Sequence, residues 1–445
     1  MSPENLLSRK YQSRESSFPI VEKDLSDEEK LSWAYLNYPS RPRLIDARDR
    51  SLRRKGEYVI YKPKGQDLED LGSSEIVIGP EHQFSLVEAT LFGLNDALVR
   101  AEGGSNLRQE FEEELERFNF VGPNKYGTYA YYPATGDLAQ YAPERYHRLA
   151  LVTSNSSLLL DADRKLKWEE VREIFDDLVV AIAGASLGNN VAHSIARDIR
   201  PKNLKIADPN LFKVSNANRV GLSYEDIVLP NSLRESQFSS LGLKNKAIGA
   251  AEQIHRIDPF MRVWAYFEGV NLENIHSFAV GNRFEPGADF IVEETDNPDA
   301  KIMIREMARR ERVKVIMATD AGSAVQIDIR NFDFNPNASL AVGISDEDLY
   351  KSQKEAHEDP SRENFYRFAE SLIGDDFRGR GEFGDIIDGK LPKMCASVPQ
   401  LGSTAAMAGS IVAEVVARTA LGYKYPERFV VDKKSLEVRS FGEKV

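Results

Sequence analysis

Continuous apolar runs alternate with amphipathic helical stripes along the second half of the chain. Residues 178–184 (LVVAIAG) form an unbroken apolar run that ends in glycine, which is typical of a strand buried on both faces of a parallel sheet. The alternation continues through about residue 320 and predicts an α/β fold with a wound, mainly parallel sheet. The predicted strands are 178–184, 204–208, 263–268, 290–294 and 313–320. One helix is predicted to start near residue 189, and three more are predicted at 246–256, 298–310 and 404–421.

The first part of the chain has a different pattern, with short β-branched and aromatic runs separated by polar residues. Such runs at 57–62, 75–79 and 126–133 predict a smaller α+β N-terminal domain over residues 21–170. The predicted organisation is a flexible tail at 1–20, this domain, an α/β domain at 171–425 with a helical insertion near 345–385, and a C-terminal tail at 426–445.

Composition excludes several classes of protein. The chain has 58 Lys+Arg against 70 Asp+Glu, so its net charge of −12 argues against binding nucleic acid through bulk charge. The one cysteine, Cys395, excludes an intrachain disulfide and a multi-cysteine zinc site. No apolar run approaches the roughly 20 residues that span a bilayer, and the first residues lack a signal-peptide pattern. We therefore expect a cytoplasmic protein without a membrane segment.

A short glycine turn lies between the first apolar run and the following helix. Residues 184–188 (GASLG) match the G-x-S-x-G turn of serine hydrolases, with Ser186 as the nucleophile. They also fit a nucleotide-binding turn, in which Gly184 and Gly188 let the backbone approach a phosphate at a helix N-terminus. The second interpretation requires an acidic residue at the end of the next strand, and Asp208 stands there. A plain tight turn is the third interpretation.

Four ordered segments resemble the motifs of the ThiF-like adenylyltransferases, the superfamily that includes the ubiquitin-activating enzymes. Residues 208–219 (DPNLFKVSNANR) are similar to the D-x-D-x-V-x-x-S-N-L-x-R signature. Residues 242–259 resemble the lysine-bearing helix, and 289–297 (DFIVEETDN) resemble the D-x-V-x-x-x-D-N strand end. Residues 398–422 are similar to the small-residue helix that ends the domain. The resemblance covers roughly 175–425 and leaves residues 1–170 outside.

The resemblance implies an ATP- and Mg²⁺-dependent enzyme that activates a carboxylate as an acyl-adenylate. Such a reaction builds charge on the transferred phosphoryl group, so cations and a metal must be aimed at it. By resemblance, Arg219 and Lys246 contact the phosphates and Asp296 holds Mg²⁺. The remaining implied nucleotide-binding residues are Gly184, Ser186, Gly188, Asp208 (ribose), Asn210 and Asn216 (phosphate or loop).

Each implied role has a simpler structural alternative. Arg219 and Lys246 fit surface charges, and Asp296 fits a helix N-cap before Pro298. The glycine turn is shorter than the family's G-x-G-G-x-G, with Ser186 in place of a glycine, and the lysine role also fits Lys244. A nicotinamide-dependent oxidoreductase, a non-catalytic nucleotide- or peptide-binding scaffold and a serine hydrolase stay open as alternatives.

The expected substrate is a carboxylate, either a small molecule or the C-terminus of a peptide or small protein such as a ubiquitin-like or sulfur-carrier protein. We also expect a homodimer, partly from the resemblance and partly from the helix at 404–421, whose alanines permit close helix approach.

Overall fold

The computed structural model describes most of the α/β domain and parts of the N-terminal region. The described residues are 25–45, 51–54, 57–61, 75–78, 128–134, 137–141, 144, 147–148, 168–221, 243–359, 362–374 and 401–445. The predicted tail at 1–20, Cys395 and the part of the insertion beyond residue 374 lie outside this set. Helices and strands are numbered below within the described residues.

Within its described residues, the N-terminal region contributes helix α1 and six short strands. Helix α1 (Asp27–Leu36) begins at a capping box in which Ser26 and Glu29 bond each other's backbone N–H groups. The strands form two antiparallel three-stranded sheets, with orders β1-β5-β6 and β2-β3-β4. Their bounds are β1 Arg43–Ile45, β2 Ser51–Arg54, β3 Glu57–Tyr61, β4 Glu75–Ile78, β5 Thr128–Tyr132 and β6 Asp137–Tyr141.

The α/β domain is built on one eight-stranded sheet of order β14-β13-β12-β11-β10-β7-β8-β9. The five adjacent strands β11, β10, β7, β8 and β9 are parallel. Strands β12, β13 and β14 extend the sheet beyond β11, and each is antiparallel to its neighbour. The predicted mainly parallel α/β sheet is confirmed. The bounds are β7 Val179–Ala183, β8 Asn203–Ala207, β9 Arg262–Tyr266, β10 Phe290–Glu293, β11 Lys314–Ala321, β12 Ala324–Asn331, β13 Pro426–Asp432 and β14 Glu437–Lys444.

Helices cover both faces of this sheet, so alternate residues of a central strand enter two different cores. In β7, Val180 and Ile182 pack with helices on one face, whereas Ala181 and Ala183 pack on the other. Helices α2, α3, α4 and α9 cover the first face; α5 to α8, with Tyr35 of α1, cover the second. The bounds are α2 Trp168–Asp177, α3 Leu187–Asp198, α4 Lys246–Ile257, α5 Ile275–Ala279, α6 Pro298–Glu311, α7 Asp346–Glu358, α8 Arg362–Ile373 and α9 Gly402–Ala420.

The C-terminal end of the chain corrects one prediction. Residues 426–445, predicted as a tail, form β13 and β14 and extend the sheet. Their many charged residues suggested a solvated segment, but Phe429 and Val430 are buried by pairing with β12. Strand β12 itself was not predicted, whereas the insertion contains the expected helices α7 and α8 within its described part.

Helix α9, which is rich in small residues, packs against α3 of the same chain. A Cβ added to Gly409 would lie 2.6–2.8 Å from Asn190, so the two helices touch through backbone at that point. Ala405, Ala408 and Ala413 of the same helix are buried. This face therefore serves the monomer's own core, and the predicted homodimer stays a prediction that rests on the resemblance. No helix in the described part of the chain has the length and apolarity needed to cross a bilayer.

Candidate nucleotide site at the carboxyl edge of the sheet

The strand order places a crevice between β7 and β10. From β7 the chain moves outward on one side to β8 and β9, and then returns to β10 and β11 on the other side. Such a reversal leaves an opening beyond the carboxyl ends of the two central strands, where ligands bind in open α/β sheets. The glycine turn follows β7, and the segment Glu294–Asp296 follows β10, so both meet at this opening.

The glycines of the turn are required by backbone geometry. Gly184 has φ +102°, and a Cβ there would lie 2.5 Å from the carbonyl oxygen of Glu294. Any side chain would therefore push the ends of β7 and β10 apart. Gly188 lies in the first turn of α3, where a Cβ would come 2.7 Å from Cγ2 of Ile182. Gly188 thus allows α3 to pack closely on β7 and faces the sheet.

Asp208 holds the turn in place. It follows β8, is buried, and accepts hydrogen bonds from the backbone N–H of Ala185 (2.8 Å) and of Asn210 (2.8 Å) on its two carboxylate oxygens. The strand-end acidic residue predicted from the sequence is therefore a brace between β7 and β8. The exposed Asn210 accepts a hydrogen bond on its carbonyl from the N–H of Lys246 (2.9 Å), which links this loop to α4.

Arg219 is carried by the loop that follows β8. Asn216 is buried and shapes this loop: its side-chain oxygen accepts from Lys213 N (2.9 Å), and its carbonyl accepts from Arg219 N (3.1 Å). The Nε of Arg219 donates to Oγ of Ser186 at 2.9 Å, so the guanidinium lies at the start of α3. Ser186 occupies the N-cap position of α3 without capping it by its side chain, which leaves the first-turn N–H groups available to an anion.

The structure distinguishes the two candidate lysines. Lys244 forms a short ion pair with Glu252 of α4 and is committed to it. Lys246 is the first residue of α4, and its Nζ lies 3.9 Å from Oδ2 of Asp208, beside the glycine turn. Asn245 caps α4 by accepting from the N–H groups of Ala247 (2.9 Å) and Ile248 (3.2 Å). Lys246 is therefore the lysine at the crevice.

Asp296 is free of the capping role that the sequence allowed for it. The N-cap of α6 is Asn297, whose Oδ1 accepts from the N–H of Ala300 at 3.0 Å, with Pro298 at the first helical position. Asp296 precedes this cap, is exposed, and lies three residues after the end of β10. The simpler interpretation of Asp296 as the helix cap is wrong.

The pKa of Asp296 reflects the charged side chains that surround it. Desolvation by the surrounding protein raises the pKa of Asp296, although its surface stays accessible, as expected for a carboxylate inside a cleft. The charges of Lys301, Lys246 and Arg219 act in the opposite direction and lower this pKa. Asp208 raises it. Lys246, Asp208 and Arg219, which come from two of the predicted motifs, and Lys301 of α6 thus lie close enough to Asp296 to influence its ionisation.

The geometry does not assemble a serine hydrolase. Ser186 is bonded to Arg219, and His193, on the following helix, bonds to Gln253 Oε1 at 2.9 Å. Among the described residues no group of three or more His, Cys, Asp or Glu side chains forms a cage for a metal. A metal at Asp296 would therefore need phosphate oxygens and waters as its other ligands, as Mg²⁺ commonly does.

Sequence reasoning missed four residues that build the site. Asn190 donates from Nδ2 to the carbonyl of Arg219 at 2.6 Å and anchors the arginine loop to α3. Asn245 donates to the carbonyls of Asp208 (3.0 Å) and Phe267 (3.0 Å) besides capping α4. An asparagine immediately before an amphipathic stripe is an N-cap signal, and it would have found Asn245 and Asn297. Nothing in the sequence pattern marks Asn190 or the fourth residue, Glu294.

These features define a wound α/β protein with two cationic side chains, Arg219 and Lys246, and one exposed carboxylate, Asp296, beside its sheet crevice. Comparison with known families gives a match of the ThiF family to residues 165–442. The chain belongs to the ThiF family. The match begins six residues before the predicted limit of 171 and continues beyond the predicted limit of 425, through β13 and into β14.

Individual relatives are more distant. The Uncharacterized protein MT1398 of Mycobacterium tuberculosis (strain CDC 1551 / Oshkosh) is 29% identical over 185 residues, which are 42% of this chain and 23% of that protein. The match thus spans less than a quarter of the curated relative. Among solved structures, E. coli MccB is 13% identical over 90% of this chain and 94% of its own, with a TM-score of 0.42. PaaA is 17% identical over 66% and 82%, with a TM-score of 0.43.

Proposed function

We propose that this protein uses ATP and Mg²⁺ to activate a carboxylate as an acyl-adenylate. One observation carries the proposal: Arg219, Lys246 and Asp296, from three separate sequence motifs, converge on the crevice at which β7 and β10 end. An oxidoreductase that binds a nicotinamide dinucleotide needs the strand-end acid but has no use for this combination of cations and carboxylate.

In the proposed reaction, a carboxylate oxygen of the acceptor attacks the α-phosphorus of ATP. The bond between that phosphorus and the bridging oxygen breaks, and pyrophosphate leaves with the bond's electron pair. Charge spreads over the transferred phosphoryl group, so catalysis consists mainly of positioning and charge stabilisation. Arg219 and the free N–H groups at the start of α3 would bind phosphate oxygens from one side, with Lys246 at the start of α4 on the other.

Asp296 suits a magnesium ion that is brought in with the nucleotide. A single accessible carboxylate next to a phosphate site matches the ligands that Mg²⁺ prefers, which are one or two carboxylates plus phosphate oxygens and waters. When bound, the metal neutralises charge on the phosphates. The capping of α6 by Asn297 keeps Asp296 in place without using its oxygens.

We propose as acceptor a peptide or small-protein C-terminus, with ubiquitin-like and sulfur-carrier proteins among the candidates and a small-molecule carboxylate as the alternative. This choice rests on the resemblance of the motifs. The same support underlies the proposals that Asp208 and Asn210 lie beside the ribose and that the protein is a homodimer. Since Asp208 is buried and already accepts two backbone hydrogen bonds, a ribose hydroxyl would have to use a remaining lone pair.

Exchange of radiolabelled pyrophosphate into ATP, in the presence of panels of C-terminal peptides and small carboxylates, tests the proposal directly. Acceptor-dependent exchange is the expected result. Lys246→Met should lower the rate by about a hundredfold, because it removes a charge that stabilises the transition state. The matched control is the double variant Lys244→Met/Glu252→Gln, which removes the neighbouring ion pair and should keep exchange. ATP binding without exchange under any acceptor would favour the non-catalytic scaffold.

A further inference from the structure

Glu294 lies between the glycine turn and the carboxylate Asp296. Its backbone N–H donates to the carbonyl of Ala183 at 2.7 Å, which is the last bond between β10 and β7. Its own carbonyl oxygen occupies the space that a Cβ at Gly184 would need, at 2.5 Å. Two residues later comes Asp296. The backbone of Glu294 thus sets the point from which the chain leaves the sheet toward the crevice.

The side chain of Glu294 supplies a hydrogen-bond acceptor at a point where the backbone of β10 no longer pairs with β11. The parallel ladder between β10 and β11 ends at the pair Val292 and Ile316, yet β11 continues to Ala321. The N–H of Ala318 therefore finds no backbone partner on β10. Oε1 of Glu294 accepts from this N–H at 2.8 Å and ties the end of β10 to β11. An unpaired N–H in this interior position would be costly.

The same side chain also lies under the first turn of α3. A Cβ built on Gly188 would lie 3.9 Å from Cγ and 4.0 Å from Cβ of Glu294. Glu294 therefore bonds to β7 through its backbone and to β11 through its side chain, and it lies close to the glycine turn and to Gly188 of α3.

We propose that Glu294 is a positioning residue for adenylation, holding Asp296 and the phosphate-binding turn in register through its bond to Ala318. This inference rests on the proposed function, since it assigns Glu294 a role in that reaction. A misplacement of about 1 Å at a reacting centre can cost a hundredfold in rate, so an accurate anchor at this point has a large effect on catalysis.

The test compares three variants. Glu294→Met keeps the side-chain volume and removes the acceptor, and Glu294→Ala replaces it if the methionine variant does not fold. Glu294→Gln keeps an acceptor oxygen for Ala318. Asp289→Ala is the matched control, because Asp289 Oδ2 accepts from the N–H of Val179 at 2.9 Å, the same kind of side-chain brace at the opposite end of β10, where it joins β10 to β7.

Pyrophosphate exchange, urea unfolding and hydrogen exchange are measured on all of them. Glu294→Met should lower kcat by about tenfold to a hundredfold with a smaller change in KM for ATP, and Glu294→Gln should restore kcat to within about threefold. Asp289→Ala should keep kcat while losing stability. Hydrogen exchange of residues 314–321 should accelerate in Glu294→Met and not in Glu294→Gln.

Two results would overturn the inference: a kcat in Glu294→Met that stays within about threefold of wild type, or a glutamine variant as impaired as the methionine variant. Absence of exchange activity in the wild type would instead count against the proposed function. In that case, hydrogen exchange of the turn 183–187 and of 294–297 decides the role of Glu294. Loosening in Glu294→Met but not in Asp289→Ala supports the anchor, and unchanged exchange removes it.

Discussion

The two edges of the parallel sheet each carry a cluster of charged residues, and the clusters are built in opposite ways. At the carboxyl edge, Asp208, Lys246 and Asp296 are held by the backbone of loops and helix starts, and Asp296 is exposed. At the amino edge, the carboxylate of Asp258 is fully buried between Arg148 (3.5 Å) and Arg200 (3.8 Å). The cluster at the carboxyl edge faces a cleft, whereas at the amino edge the carboxylate and the two arginines pair with one another inside the protein.

Helix α4 connects these two edges. Its first residue is Lys246 at the crevice, whereas its last carbonyls bind the N-terminal region. Tyr132 donates to the carbonyl of His255 at 2.8 Å and Tyr141 to that of Arg256 at 3.1 Å. The ring of His147 bonds to the carbonyl of Ile257 at 3.1 Å. The amino edge therefore holds the N-terminal region, whereas the charges at the carboxyl edge belong to the proposed nucleotide site.

The largest effect is expected at the amino edge. Asp258→Ala would leave Arg148 and Arg200 buried without their shared carboxylate, and removing one partner from a buried ion pair costs about 3–5 kcal/mol. Urea denaturation should show this loss, while pyrophosphate exchange per folded molecule stays unchanged. Lys30→Ala, which breaks the exposed pair of Lys30 and Asp27, is the control and should change stability by less than about 1 kcal/mol. A loss of activity in folded Asp258→Ala would show that the edges are coupled.

The opposite result is expected for Asp296→Ala at the carboxyl edge. The loss of a metal ligand should lower Mg²⁺-dependent AMP transfer by more than about a hundredfold, equivalent to about 2.7 kcal/mol of transition-state stabilisation. The free energy of unfolding should hardly change, because the carboxylate is exposed and caps no helix. Asn297→Ser preserves the cap of α6 and serves as the neighbouring control. AMP transfer that survives within a factor of a few would remove Asp296 from the chemistry.

A pH dependence is expected from His255 near the amino edge. Burial, together with the charge of Arg41, lowers the pKa of His255 to about 3, and Tyr38 bonds the ring at 2.6 Å. Because the unfolded chain binds the proton at its ordinary pKa, the protein loses stability as the pH falls below about 6.5. At pH 5 this loss is about 2 kcal/mol. Urea denaturation at pH 7.5 and 5 should show a smaller difference for His255→Gln; an equal difference would contradict the assignment.

The smallest effect is expected for Ser186→Gly. The change removes the acceptor for Arg219 Nε but eases the approach of a phosphate to the turn, so ATP affinity should change by less than about threefold. Isothermal titration with a non-hydrolysable ATP analogue measures this. Labelling of Ser186 by a fluorophosphonate probe would instead support the serine hydrolase and contradict the nucleotide site.

The fold could be predicted because apolar runs and glycine positions reflect local requirements. The run at 178–184 became β7, and the helices and parallel strands that follow match their predicted positions to within a few residues. Strand β12 and the hairpin of β13 and β14 were missed, and the pairing of β12 with β13 joins residues about 100 positions apart in the sequence. In β13, only Phe429, Val430 and one neighbour are buried, which is too short an apolar pattern to recognise alone.

The sequence by itself determined the class of fold, the order of its elements and the candidate residues Arg219, Lys246 and Asp296, because side-chain period and motif spacing are local properties. Only the tertiary structure decided which candidates meet. In the folded chain Lys244 pairs with Glu252, Asn297 caps α6, and Asp208 accepts a hydrogen bond from the glycine turn. These assignments depend on the strand order, which brings the ends of β7, β8 and β10 together although more than 80 residues separate β8 from β10. Which donors and acceptors bond to each other where these strand ends meet cannot be predicted from any local sequence pattern.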